Sequence, residues 1–216
     1  MRVHFLLPFQ CLDEGTIDRP MRTALTTKFL LSATSEGQFP APAAPEIAFL
    51  GRSNVGKSSL INALLGEKAA KVSSSPGRTR AINFFALLPS PTAREPRLLF
   101  ADLPGYGYAK LSKSISAEWP SFINPYLAQR LNLEMCICLV DSRIPVQPSD
   151  RQLLDALRAM DRGFLVVGTK ADKLSGNERA KAISRLKQGL ETEDLLLCSA
   201  KTGAGIKELW ARLLAE

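Results

Sequence analysis

The chain has 216 residues, 45% of them hydrophobic and 23% charged, which is enough apolar material for one domain with a sizeable core. The only histidine is His4 and the four cysteines have no metal-binding spacing, so a structural zinc site is not expected; no apolar run reaches transmembrane length either. The net charge of +7 suits polyanionic partners, although a solvated basic surface explains it equally well.

The N-terminal part of the chain is predicted to be an extension and a linker. Its start, MRVHFLLPFQC, is interrupted by Pro8 and lacks an A-x-A-like cleavage site, so a secretory signal is not expected. Residues 38–45 (QFPAPAAP) are rich in proline and small residues, which is typical of a linker. We therefore predict residues 1–44 to be the extension, with Met21 as an alternative start, and residues 45–216 to be one domain.

After the linker, short apolar stretches alternate with stretches of helical spacing. In chain order we predict strand EIAFLG, helix KSSLINALLG, strands AINFFALL and RLLFADLPG, helix SAEWPSFINPYLAQR, strand EMCICLVD, helix SDRQLLDALRAM, strand GFLVVGTK, helix NERAKAISRLKQGL, strand DLLLCSAK and helix GIKELWARLLAE. Continuously apolar strands that alternate with helices indicate an α/β fold, in which a mostly parallel sheet has helices on both faces. Ligands of such folds bind at the carboxyl ends of the strands.

Three local features refine this pattern. The segment PSPTAREP can join its two flanking strands as an antiparallel hairpin at a sheet edge. Ser149 is the predicted N-cap of its helix, and Pro120 and Pro125 must be accommodated by an early turn and a kink or break. Cys136 and Cys138 lie on one face of a strand and behave as small hydrophobes; reduced thiols are consistent with a cytoplasmic protein.

The segment GRSNVGKSS (residues 51–59) fits G-x-x-x-x-G-K-[ST] between a predicted strand and a predicted helix. Gly51 and Gly56 permit a tight loop whose N–H groups surround phosphates, and the positive end of the following helix adds to them. Lys57 is expected to reach the β- and γ-phosphates and Ser58 to hold Mg²⁺. The sequence therefore predicts the P-loop of an NTPase.

Two segments that follow are expected to sense the γ-phosphate. In DLPG, Asp102 ends an apolar strand and suits Mg²⁺ through water, while the Gly105 N–H is expected to contact the γ-phosphate. Thr79, in the loop SSPGRTRAIN, is the candidate for a threonine that joins Mg²⁺ and γ-phosphate only in the triphosphate state. A turn aspartate or a loop threonine alone indicates little, but their order after the P-loop favours this function.

The segments TKAD and SAK predict a guanine site. Asp172 can accept hydrogen bonds from guanine N1–H and N2–H₂, a pair of donors that adenine lacks. Lys170 can lay its stem along the base, and the Ala200 N–H can bond to guanine O6. Their order after the P-loop and DLPG predicts that the domain binds GTP rather than ATP and that it is a P-loop NTPase G domain.

The predicted ligand set joins these five segments: the P-loop, the loop that contains Thr79, DLPG, TKAD and SAK. The residues expected to contact GTP or GDP are Gly51, Arg52, Ser53, Asn54, Val55, Gly56, Lys57, Ser58, Ser59, Gly77, Arg78, Thr79, Arg80, Asp102, Leu103, Pro104, Gly105, Thr169, Lys170, Ala171, Asp172, Ser199, Ala200 and Lys201. Lys57, Thr79 and Gly105 are candidate catalytic residues. Ser58, Thr79 and Asp102 are the candidate Mg²⁺ ligands.

The order GRSNVGKSS, PGRTR, DLPGYGYAK, DSRIPVQPSD, TKADK, SAKTGAGI resembles the EngB-type GTPases (also called YihA or YsxC) of the TrmE–Era–EngA–EngB group. The match runs from about Lys28 to the C-terminus, and DLPGYGYAK is its most specific piece. The resemblance implies a cytoplasmic GTPase that acts as a switch in assembly of the large ribosomal subunit. Its implied partners are the large subunit or its precursor and rRNA, and it implies an association with division septum formation.

Four positions qualify the resemblance. Thr169 replaces the Asn of the commoner N-K-x-D, a form familiar in this family, and Arg80 stands where Gln is common. Tyr106 occupies the position of the Gln that orients the attacking water in Ras-type GTPases, so slow intrinsic hydrolysis is expected. In related GTPases an Asn at the position of Asn54 coordinates a monovalent cation such as K⁺ and thereby aids catalysis; the alternative is that Asn54 only shapes the loop.

The segment GYGYAK is hypothesised to form a GTP-dependent docking surface for a large-subunit precursor. Exposed aromatic rings stack on unpaired bases and basic groups bind phosphates. The residues assigned to this surface are Tyr106, Tyr108, Lys110 and Lys113, together with Lys68, Lys71, Arg78 and Arg80 near Thr79. The alternative is that both tyrosines pack inward and the charges are only solvated.

Two other functions compete with the switch. A non-catalytic RNA-binding assembly module would merely retain GTP. A P-loop kinase for a small acceptor would need an arginine-rich lid and has no use for Asp172 or SAK. No basic amphipathic helix or lipidation motif points to a membrane, and a monomer is expected.

Overall fold

The computed structural model describes residues 25–66, 69–70, 81–106, 119 and 121–214; Met21 and Pro120 lie outside these residues. The strands in them are β1 (Thr26–Ala33), β2 (Glu46–Gly51), β3 (Ile82–Leu88), β4 (Leu98–Asp102), β5 (Leu133–Asp141), β6 (Phe164–Thr169) and β7 (Leu195–Leu197). The helices are α1 (Lys57–Leu65), α2 (Ile123–Gln129), α3 (Pro148–Ala159), α4 (Gly176–Leu190) and α5 (Ile206–Leu214).

The strands form one sheet in the order β1-β3-β4-β2-β5-β6-β7. The pairs from β4 to β7 are parallel, whereas β3 runs antiparallel to both of its neighbours. The predicted α/β class with a mostly parallel sheet is therefore confirmed. Because β2, β4, β5 and β6 point the same way, their carboxyl ends lie together at one edge, where the predicted ligand segments follow.

Alternating residues of the strands bury two separate cores. On one face, Cys136, Cys138 and Val140 of β5 pack with residues of α2, α3 and α4. On the other face, Ile137 and Leu139 pack with residues of α1 and α5. Both thiols of the C-x-C are buried on one face, as predicted, and burial raises the pKa of Cys136 to about 12, so this thiol stays protonated.

The N-terminal boundary of the domain differs from the prediction. Residues 26–33 lie in the predicted extension, yet they form β1, which pairs antiparallel with β3 and makes the edge of the sheet. The predicted hairpin of β3 and β4 is present, with Asn83 opposite Asp102, but it is internal because β1 covers its outer side. The folded domain therefore begins before residue 45.

The proline-rich linker is held in place by side chains. The Phe39 ring packs edge-on against Tyr126 at 5.4 Å between centroids, and the Arg130 Nη2 donates to the Pro40 carbonyl at 2.8 Å. Arg130 also pairs with Glu46, which is buried at the start of β2. The linker is therefore part of the packed structure.

The starts of two helices depend on proline. Helix α3 begins at Pro148 with Gln147 as N-cap, so the prediction of Ser149 is wrong by two residues. Proline fits the first helical position because it needs no N–H partner there, and the Asp150 carboxylate accepts the Gln147 N–H at 3.1 Å. Pro125 lies in the first turn of α2, where it breaks no helical hydrogen bond.

None of the described helices combines the length and apolar character needed to cross a membrane.

Candidate nucleotide site

The P-loop connects the end of β2 to the start of α1. The chain leaves the sheet at Gly51 and enters the helix at Lys57, and it turns through positive φ at Asn54 (63°) and Gly56 (108°). Asparagine tolerates this conformation better than most residues, which is compatible with the loop-shaping alternative for Asn54. The strand–loop–helix context predicted for GRSNVGKSS is therefore present.

The two charged residues predicted to serve phosphate and metal are in contact. Lys57 Nζ forms an ion pair with Asp102 Oδ1, and both side chains are nearly buried. The contact follows from the sheet, because β4 lies beside β2 with Phe49 opposite Asp102. A cation and a carboxylate thus meet at the mouth of the P-loop.

The D-x-x-G segment lies directly on the P-loop. The Ser53 N–H donates to the Tyr106 carbonyl at 2.9 Å, and a Cβ added at Gly105 would lie 3.0 Å from Ser53 Oγ. Arg52 and Tyr106 form a parallel bridge. A residue larger than glycine at position 105 would therefore push the two segments apart.

Tyr106 is buried rather than exposed. Only 1% of its surface is accessible, its hydroxyl donates to Asp150 Oδ1 at 3.3 Å, and its ring lies edge-on to Trp119 at 5.7 Å. Burial, followed by the charge of Asp150, raises the pKa of Tyr106 well above its ordinary value. The hypothesis that Tyr106 stacks on bases is therefore wrong, because its ring and hydroxyl are already engaged inside the domain.

The two guanine motifs come together at the ends of β6 and β7. Ser199 Oγ donates to Asp172 Oδ1 at 2.8 Å, and the Ala171 N–H donates to the Cys198 carbonyl at 3.1 Å. The hydrogen bond from Ser199 lowers the pKa of Asp172, so its carboxylate is charged at neutral pH. Ala200 is partly buried beside this pair. The arrangement presents a charged acceptor to a ligand with two donors.

Thr169 and Lys170 tie the guanine loop to the P-loop. Thr169 Oγ1 lies 2.7 Å from the Val55 carbonyl, to which it donates, and 3.1 Å from that of Val140. Lys170 Nζ donates to the Asn54 carbonyl at 2.9 Å. The TKAD segment is thus bonded to the P-loop by the side chains of both Thr169 and Lys170.

Comparisons with known proteins decide the family. A family model described as "50S ribosome-binding GTPase" matches residues 46–170. The "Probable GTP-binding protein EngB" of Acidobacterium capsulatum is 68% identical over 186 residues, which cover 86% of this chain and 88% of that protein. The chain belongs to the EngB family of GTPases. The protein of the same name from Koribacter versatilis is 53% identical over 187 residues, 87% of this chain and 92% of the relative.

Solved structures agree with the EngB family. A crystal structure of a probable GTP-binding protein EngB superposes with a TM-score of 0.60 at 26% identity and covers 78% of this chain and 96% of its own. Era from Aquifex aeolicus, bound to GDP and AlF₄⁻, has a TM-score of 0.64 at 24% identity over 80% of this chain and 56% of Era, which indicates a shared fold. This EngB-family domain is therefore a GTPase G domain.

The residues predicted to hold Mg²⁺ in the EngB domain suit that ion. Ser58 and Asp102 offer a hydroxyl and a carboxylate, the hard oxygen donors that Mg²⁺ prefers. The described residues contain no group of three or more His, Cys, Asp or Glu side chains placed to form a metal cage. This donor set fits an ion that completes its coordination with water and phosphate oxygens.

One acidic residue of the EngB site was not singled out from the sequence. Asp141, at the end of β5, receives hydrogen bonds from Lys170 Nζ at 2.9 Å and from Arg143 Nη2 at 2.7 Å. Burial opposes its charge, but the bonds from Arg143 and Lys170 prevail and hold the pKa of Asp141 well below its ordinary value. The available signal was an aspartate at the carboxyl end of a parallel strand, in DSRIP.

Several predicted residues are not brought into this picture. Gly77, Arg78, Thr79 and Arg80 lie outside the described residues, as do Lys68, Lys71, Tyr108, Lys110 and Lys113 of the hypothesised docking surface. Lys201, the last residue of SAK, is exposed, and Ser59 lies within α1. Their predicted roles stay predictions.

Proposed function

We propose that this EngB-family GTPase is a nucleotide-controlled switch in assembly of the large ribosomal subunit in the cytoplasm. The observation that carries the proposal is the match to a family described as 50S ribosome-binding GTPases over residues 46–170, which include the P-loop and DLPG. The net charge of +7 is compatible with a polyanionic partner such as rRNA. An association with division septum formation stays an expectation from the family.

The switch is proposed to respond at the contact between P-loop and D-x-x-G segment. Lys57 would exchange Asp102 for the β- and γ-phosphates when nucleotide binds, and the freed Asp102 carboxylate would then help Ser58 to hold Mg²⁺. Bound Mg²⁺ supplies charge neutralisation of the phosphates. Gly105 offers its N–H to the γ-phosphate, so loss of that phosphate alters the segment that begins at Asp102.

Slow intrinsic hydrolysis is proposed for the isolated protein. In Ras-type GTPases a glutamine orients the attacking water. Here the hydroxyl of Tyr106 is directed to Asp150 at 3.3 Å and the ring is buried. Because Tyr106 does not orient the water, faster GTP hydrolysis is expected to depend on the ribosomal partner or on a K⁺ ion held at Asn54.

The role of K⁺ can be tested by itself. If Asn54 is a cation ligand, hydrolysis in K⁺ exceeds hydrolysis in Na⁺, and the Asn54→Ala variant loses the difference while it still binds GDP. Equal rates of the unchanged protein in the two salts would leave Asn54 as a loop-shaping residue.

Single-turnover hydrolysis tests the function. The protein is loaded with GTP and the phosphate released is followed with large-subunit precursors, with small subunits, and alone. A rate increase specific to large-subunit particles is expected. If these particles bind the protein but leave the rate unchanged, the alternative of a GTP-retaining RNA-binding module is supported instead. Absence of binding in every nucleotide state would contradict both.

A further inference from the structure

Tyr106 joins three parts of the domain through its own atoms. Its carbonyl accepts the Ser53 N–H at 2.9 Å and its N–H donates to the Gly51 carbonyl at 3.4 Å, so its backbone is paired with the P-loop. Its hydroxyl reaches Asp150 at the start of α3, 44 residues along the chain. Tyr106, which follows the glycine expected to sense the γ-phosphate, is therefore bonded to the P-loop through its backbone and to helix α3 through its side chain.

Asp150 is shared between this tyrosine and the helix. One oxygen, Oδ1, accepts the Tyr106 hydroxyl, and the other, Oδ2, accepts the Gln147 N–H at 3.1 Å. Only 5% of Asp150 is exposed, and burial raises its pKa in spite of Gln147, Arg52 and Tyr106, which act in the opposite direction. The same carboxylate thus caps the start of α3 and holds the hydroxyl of Tyr106.

The residue before Gly105 is fixed as well. Trp119 Nε1 donates to the Pro104 carbonyl at 3.2 Å, and the Trp119 ring packs edge-on against Tyr106. Gly105 thus lies between two anchored residues and against Ser53 of the P-loop. Its N–H has little freedom as long as Tyr106 keeps its partners.

We propose that Tyr106 is a positioning residue of the GTPase cycle: through Asp150 and the P-loop backbone it holds Gly105 where the γ-phosphate is recognised, and it links that recognition to helix α3. The role differs from that of the glutamine in Ras-type GTPases because Tyr106 acts through Gly105 and not on the water. It concerns the isolated GTPase and does not depend on the proposed ribosomal partner.

The test compares two tyrosines in matched surroundings. Tyr106→Phe removes the hydroxyl that faces Asp150, and the control Tyr126→Phe removes an equally buried hydroxyl that donates to the buried carboxylate of Glu46 at the opposite end of the sheet. Affinities for GDP and for a non-hydrolysable GTP analogue are measured by titration, with kcat and KM for GTP. For Tyr106→Phe we expect the ratio of GTP-analogue to GDP affinity to fall by about tenfold, with GDP affinity unchanged, because a hydrogen bond to a buried charge is lost.

A second set of variants tests whether the change in the affinity ratio arises from the Tyr106–Asp150 pair. If Tyr106 acts through Asp150, then Asp150→Ala lowers the same ratio and the double variant loses no more than the larger single loss. Tyr126→Phe is expected to lower stability only. The proposal is overturned if Tyr106→Phe leaves the ratio of GTP-analogue to GDP affinity unchanged or raises it, or if Tyr126→Phe lowers this ratio equally. It is also overturned if the losses of Tyr106→Phe and Asp150→Ala add in the double variant. Should Tyr106→Phe not fold, the Asp150→Ala measurement decides alone.

Discussion

Guanine recognition is expected to depend on the single carboxylate of Asp172, which Ser199 holds at 2.8 Å. Asp172→Asn replaces an acceptor by a donor, so GTP affinity should fall by at least about a hundredfold, whereas xanthosine triphosphate, with a second carbonyl, should bind better. Titration with both nucleotides measures the exchange. Asp155→Asn, on the exposed side of α3, is the control. Equal GTP affinity of Asp172→Asn and the unchanged protein would remove TKAD from the site.

Asp141 should strengthen the binding of the guanine base because it holds Lys170 in place. Asp141→Ala removes the carboxylate that receives Lys170 Nζ, so we expect GDP and GTP affinity to fall alike, by about fivefold for a partly exposed ion pair. Isothermal titration with both nucleotides gives the result. Asp194→Ala, which breaks an exposed pair with Arg212, is the control and should have no effect. A loss confined to GTP would contradict a role at the base.

At the scale of elements, the loop after β7 depends on its backbone conformation. Gly203 and Gly205 both have positive φ, at 79° and 76°. A Cβ at Gly203 meets nothing within 4 Å, while one at Gly205 would overlap the Leu197 carbonyl and lie 2.9 Å from Cys198 Sγ. We expect Gly203→Ala to lower the free energy of unfolding by about 1 kcal/mol and Gly205→Ala by about 3 kcal/mol. Urea denaturation tests this, and equal losses would contradict the described packing.

The elements with continuous apolar runs were predictable, and the edge strand was not. Strands β2 and β6 are buried along nearly their whole length, and β5 is buried from Cys136 to Val140, so that all three read as apolar segments. Strand β1, TTKFLLSA, is mostly exposed or half-buried because it has only β3 as a neighbour. Its sequence therefore lacks the apolar continuity that marks an internal strand of a parallel sheet.

The site was predictable where it is made of contiguous motifs. The P-loop, DLPG, TKAD and SAK each follow a strand, and the topology brings them together as expected. The burial of Tyr106 was not predictable, since it depends on a partner 44 residues away in the chain. The role of Asp141 was not predictable either, because it follows from the contact with Lys170, 29 residues further along. The first pairing is set by the packing of α3 on the sheet, and the second by the register of β5 and β6, in which Asp141 lies opposite Thr169.

On the scale of the whole molecule, the end of the sheet opposite the nucleotide site holds a buried ion pair. Glu46 is fully buried and is paired with Arg130, which also fastens the linker. Arg130→Met should lower the free energy of unfolding by about 3 kcal/mol, because it leaves an uncompensated buried charge. Arg212→Ala, at an exposed pair, should cost about 0.5 kcal/mol or less. Equal losses in thermal or urea unfolding would show that Glu46 is not buried as described.

The measurement that tests the central claim most directly is the affinity of the protein for large ribosomal subunits and their precursors, with a GTP analogue and with GDP, across a salt series. Small subunits serve as the control particle. The account predicts tighter binding to large-subunit particles in the GTP form and a steep fall with salt, as expected when basic groups contact phosphates. Equal affinity in the two nucleotide states, or equal affinity for large and small subunits, would contradict it.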